Sequence, residues 1–115
     1  MTARSLVPNM TENLVRLDLS RFTAADLQKI AALQTKLRLM HRWFRQERRT
    51  LDGSDSVVLY SGDRGPVAYA SYRVLRHRDG GYELANERDG TSLARGRTMD
   101  SVLRALPDDF FYARY

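Results

Sequence analysis

Three short glycine-bearing connections constrain this chain more than any other feature. Gly62-Asp63-Arg64-Gly65, Asp79-Gly80-Gly81 and Asp89-Gly90 punctuate its second half, and each contains residues able to take the positive φ of a tight reversal. They bound four runs rich in Val, Tyr and Leu, at 56–61, 67–77, 82–88 and 92–97. Connections this short join only antiparallel neighbours, because a parallel return needs a crossover of a dozen residues or more. The runs therefore predict a four-stranded antiparallel meander. In the second run Ala68, Ala70, Tyr72 and Val74 alternate with Tyr69, Ser71 and Arg73, and the small alanines leave room for a helix to approach the sheet.

Ahead of the meander the hydrophobic period changes. Thr23 and Asp26 have capping-box spacing, and Phe22 can staple onto Leu27. No Gly or Pro interrupts the chain from there to about Arg49, and Leu27, Ile30, Leu33, Leu37, Met40 and Phe44 recur three or four apart. The pattern predicts a long helix that ends at Asp52-Gly53, roughly 39 Å at ~1.5 Å per residue. After the meander, Thr98 can cap a short helix with Met99, Val102, Leu103 and Leu106 on one face, ended by Pro107. Residues 1–22 read as an N-terminal arm, with Leu14–Leu19 alternating like a short strand, and residues 23–115 as one domain. The expected fold class is α+β: a long helix, a four-stranded meander and a short helix, with the helices on one sheet face. In outline this order is similar to that of double-stranded-RNA-binding domains. The second helix, MDSVLRAL, lacks the lysine cluster with which that family holds phosphates, so the likeness is one of architecture.

Composition removes several functional classes. A chain of 115 residues with 43% apolar content can build a core without staples, and the absence of cysteine excludes thiol catalysis, disulfides and cysteine-type zinc sites. No apolar run approaches the ~20 residues of a membrane span, and no secretory signal is evident, so a cytoplasmic protein without membrane contact is the default expectation. His41 and His77 stand apart from any metal-ligand spacing, and no nucleophile-elbow, phosphate-loop or dinucleotide fingerprint occurs. The expectation is a protein that is not an enzyme and carries no cofactor or metal.

What remains is charge. Of the net +5, residues 29–49 alone carry +6, leaving a near-neutral body with one cationic segment. On the expected helix Arg38, Arg42, Arg45 and Arg49 fall within about 60° of one another, with Lys36 and Arg48 beside them. Such a row suits nucleic-acid phosphates, and four duplex contacts imply a log–log salt slope near −3.6. The alternative is a protein-interaction module docking an acidic partner. Leu39 and Trp43 would form a second apolar strip, for packing or for homodimer contact, with Trp43 as the energetic centre. Phe110, Phe111, Tyr112 and Tyr115 could close the core or serve as a docking segment. Tyr69, Arg73, Tyr82, Arg95 and Arg97 could form an aromatic-basic sheet face that stacks bases, if the register aims them outward.

Overall fold

The computed structural model describes residues 18–51, 53–63 and 69–112. Helix α1 (Ala24–Leu39) is followed by five strands, β1 (Trp43–Leu51), β2 (Ser54–Gly62), β3 (Tyr69–Arg76), β4 (Tyr82–Asn86) and β5 (Ser92–Gly96). Two short helices complete it, α2 (Met99–Leu103) and α3 (Asp108–Phe111). The strands pair antiparallel in sequence order, β1-β2-β3-β4-β5. The α+β class with an antiparallel meander is therefore correct, with five strands instead of four and a short helix after Pro107 that the sequence did not suggest.

The fifth strand comes out of the expected long helix. That helix stops at Leu39, not Arg49, and residues 43–51 are β1. Its stop is a Schellman motif. The His41 N–H donates to Arg38 O (3.0 Å) and the Arg42 N–H to Leu37 O (2.9 Å), while His41 takes φ +57°. Glycine usually fills that left-handed position; a histidine there leaves no sequence signature. Gly53, at φ +81°, consequently lies between β1 and β2, whose ends Leu51 and Ser54 pair, and does not stop a helix; Asp52 lies outside the described residues.

The N-terminus of α1 follows the sequence closely. The Asp26 N–H donates to Thr23 Oγ1 (3.1 Å) and the Thr23 N–H to Asp26 Oδ2 (2.9 Å), a reciprocal capping box. Ile30, Leu33 and Leu37 are buried against Val57, Leu59, Tyr72, Val74 and Leu84 of the sheet. Each fully buried leucine or isoleucine is worth ~2 kcal/mol relative to exposure. Met99, Val102, Leu106 and Phe110 from the C-terminal segment join this cluster, so all three described helices lie on one face of the sheet. Gly96 permits the close approach of β5 to α2: a Cβ there would lie 2.0 Å from Ser101 Oγ.

The arm preceding α1 is pinned to the end of the sheet. The Asp55 N–H donates to Ser20 O (2.8 Å), the Phe22 N–H to Asp55 Oδ2 (2.8 Å) and the Leu19 N–H to Arg78 O (3.0 Å). Leu19 is not in a strand, and the rest of the expected strand at 14–17 lies outside the described residues.

Candidate functional site

Strand alternation sorts β1 onto two faces. Phe44, Gln46 and Arg48 share the helix-covered face with Ser61, Leu59 and Val57 opposite them on β2. Trp43, Arg45, Glu47 and Arg49 share the other face, which carries no described helix. Directly opposed residues of antiparallel strands lie on the same side, so the registers lay out four rows across this open face. These are Trp43–Gly62–Tyr69, Arg45–Tyr60–Ser71, Glu47–Val58–Arg73–Ala85 and Arg49–Ser56–Leu75–Glu83–Arg95.

The first two rows form an aromatic cluster. Gly62, with no side chain, separates Trp43 from Tyr69, and their rings meet across it edge to face at 6.5 Å. Tyr69 meets Tyr60 at 5.6 Å. Two guanidiniums lie over these rings, Arg45 at 5.5 Å from Tyr60 and Arg88 at 5.1 Å from Tyr69. Arg88 is held in place by its Nη2, which donates to Tyr69 O at 2.6 Å. Tyr69 remains 38% exposed.

Around the other two rows lies an ionic lattice in which each glutamate meets two basic side chains. Glu47 accepts from Arg45 (3.2 Å) and Arg49; Glu87 accepts from Arg73 (2.7 Å) and Arg49 (3.4 Å); Glu83 meets His77 (2.8 Å) and Arg95 (3.4 Å). The hydrogen bond from Arg49, reinforced by its charge and that of Arg45, holds the Glu47 carboxyl below its usual range. A hydrogen bond from Ser92 is the largest cause of the same lowering at Glu83, which burial opposes and His77 and Arg95 support. Five arginines (45, 49, 73, 88 and 95) face three glutamates here, so the surface keeps a positive excess of two.

The four-arginine helical row does not form, because the segment that would carry it is divided between helix, turn and strand. Lys36 and Arg38 lie exposed in the last turn of α1, with the Lys36 ammonium 4.7 Å from the Phe111 ring centroid. Arg42 is inside the protein. Its side chain is 7% exposed, its Nη2 donates to Asp109 O (2.9 Å) and Phe110 O (3.4 Å), and its Nη1 lies 3.6 Å from Asp63. It therefore satisfies carbonyls of α3, as cations at helix C-termini do, and is not available to a partner. Arg45 and Arg49 share the open face, while Arg48 points to the other face, 3.9 Å from the buried Asp55.

Leu39 and Trp43 do not make a common strip either. Leu39 is 76% exposed at the end of α1, and Trp43 opens β1 on the far side of the sheet. Phe110 is fully buried, edge to face with Phe44 (6.3 Å) and Tyr72 (6.0 Å); Phe111 is half-buried, Tyr112 is exposed, and Tyr115 lies outside the described residues. Of the expected aromatic-basic face, Tyr69, Arg73 and Arg95 are on the open side. Tyr82 is on the core side, its hydroxyl donating to Asp26 Oδ2 at 2.7 Å, and Arg97 lies beyond the end of β5. The residues that sequence reasoning missed are Tyr60, Arg88, Glu87 and the true position of Trp43. The alternation Trp43-x-Arg45-x-Glu47-x-Arg49 is the signal that could have found β1, but three- and four-residue spacing among Leu37, Met40 and Phe44 masked it.

Among the described residues no group of histidines and carboxylates is placed to hold a metal ion, and no helix is long and apolar enough to cross a membrane. No family model, no curated protein and no solved structure matches this chain.

Proposed function

We propose that this is a non-catalytic nucleic-acid-binding protein that takes a single strand across the open face of its sheet, not a duplex along a helix. The observation carrying this reading is the cluster of Trp43, Tyr60 and Tyr69 on the sheet face that carries no described helix, with Arg45 and Arg88 lying over its rings. Unpaired bases stack on such platforms irrespective of sequence, and neighbouring guanidiniums take the phosphates. A duplex keeps its bases stacked and would use only the charge.

Trp43 is the sole tryptophan of the chain, so its fluorescence reports on the platform directly. Titration with a labelled single strand of ~12 nucleotides should quench that fluorescence and exceed the affinity for the matching duplex. Tyr69→Ala and Tyr60→Ala should each weaken binding by about tenfold, at 1–3 kcal/mol per stacked base. Because the glutamates already occupy most of the arginines, about two net phosphate contacts remain, and the log–log salt slope should be near −1.4. Equal binding of duplex and single strand, or indifference to Tyr69→Ala, would refute the reading. An acidic protein partner, the competing reading, would instead give a nuclease-resistant complex that is unaffected by Tyr60→Ala and lost on substitution of Lys36 and Arg38, the exposed cations at the end of α1.

A further inference from the structure

Among the described residues, strand β1 ends the sheet. It has β2 on one side and no described strand on the other, and it pairs with β2 through nine consecutive residues without a bulge. It contains no proline or glycine, and none of its described residues is buried. Long, regular edges of this kind present a row of unpaired N–H and C=O groups, and folded proteins normally blunt them with short strands, bulges, prolines or charged side chains; β1 has only the last, Arg45, Glu47, Arg48 and Arg49, and these are of both signs. The opposite edge is blunted in the first two ways: β5 has five residues, and its pairing with β4 shifts register between Leu84 and Ala85.

From this edge we infer that the protein dimerises by antiparallel pairing of β1 with β1 of a second copy, around a two-fold axis at Gln46. The side-chain order of β1 selects both the partner and the register. With Gln46 opposite Gln46, Arg45 of each copy stands opposite Glu47 of the other, Trp43 opposite Arg49, and Phe44 opposite Arg48. Every charged residue then meets either its counter-ion or an aromatic ring, and each contact occurs twice by symmetry. Neighbouring registers fail. Centring on Glu47 opposes Glu47 to Glu47 and Arg45 to Arg49; centring on Arg48 or on Arg45 opposes that arginine to itself. Like charges directly opposite are destabilising. The within-strand contacts already seen, Arg45 and Arg49 with Glu47, would continue across the axis as one alternating ladder. A β1-to-β5 pairing would be head-to-tail and would not close, whereas the β1 pairing closes at two copies. This inference stands whether or not the open face binds nucleic acid.

Light scattering after size exclusion tests it, with the full chain loaded at ~0.5 mM because an interface below ~1,200 Å² is weak. A dimer is expected. Arg45→Glu should weaken association by about tenfold by placing Glu opposite Glu twice, and adding Glu47→Arg should restore it. The chain has no cysteine, so single substitutions give unambiguous cross-links. On oxidation the Gln46→Cys variant should form a disulfide dimer. Arg48→Cys should not, because its two copies lie about 14 Å apart along the strands, beyond disulfide reach. Circular dichroism establishes that each variant keeps its fold. A monomer at this concentration, including one whose edge is covered by its own residues 1–17, would overturn the inference. So would cross-linking through position 48 in place of 46, or a charge swap that fails to restore association.

Discussion

His41 holds φ +57° at the position where α1 gives way to β1, a conformation that crowds the Cβ of any L residue other than glycine. The side chain is exposed, so little else depends on it. His41→Gly should therefore raise unfolding stability by about 1 kcal/mol in denaturant titration, with the denaturant slope unchanged. A loss of stability would show that the imidazole contributes more than the backbone costs. Arg42, one residue on, is different in kind. It is a buried cation bonded to two main-chain carbonyls, with no hydrogen-bond partner for its Nε, and removing such a group typically costs 2 kcal/mol or more through ~1.5–3 kcal/mol per charged hydrogen bond. Weaker binding by an Arg42 variant would thus report unfolding and not a lost contact, which leaves Arg45, Arg73 and Arg88 as the informative arginines.

At the scale of elements, α1 is tied to β4 by the Tyr82 hydroxyl, which donates to both oxygens of the capping carboxyl Asp26 (2.9 and 2.7 Å). Burial, and then the Asp26 carboxyl, push the Tyr82 phenol up from 10.0 to about 12. A raised value means that the folded state holds this proton more tightly than the unfolded chain. Its stabilisation is therefore complete below pH 10 and is lost as the pH rises through about 12. The wild-type stability profile should fall over that alkaline interval. Tyr82→Phe should cost about 1–2 kcal/mol at neutral pH and flatten it; an unchanged alkaline limb in the variant would exclude this link as its source.

The same scale explains what could be read in the residues beforehand. Turns carrying glycine or the Asp-Gly pair announced β2 to β5, and Thr23, Asp26 and Thr98 announced helix starts, because in each case the local chemistry and the tertiary structure agree. The end of α1 was hidden because a histidine performs a glycine's role there, and because Phe44 keeps helical spacing with Leu37 and Met40 while reaching the core from a strand. Losing β1 scattered the arginines and concealed the open face. Tyr69, Arg73 and Arg95 could be proposed for a shared surface from alternation alone. Tyr82 could not be excluded from it, since a slip of one residue reverses its side.

For the molecule as a whole, the last described helix decides whether the core is complete. Phe110 is fully buried between Phe44 and Tyr72, Ser61 Oγ donates to its carbonyl at 2.7 Å, and Arg42 reaches the same segment from the end of α1. A chain cut before Pro107 should keep much of its helical and strand signal while losing near-ultraviolet ellipticity and binding a hydrophobic dye, since deleting a buried Phe alone costs ~3–5 kcal/mol. Native near-ultraviolet spectra from that chain would show that the sheet and α1 suffice.

During synthesis, then, a ribosome that has exposed α1 and all five strands has delivered the meander without the ring that seals it. The nascent polypeptide would stay sticky and protease-sensitive until Asp108–Phe111 emerge. Quality control would have its opportunity to act in the interval between the emergence of β5 and that of this last ring.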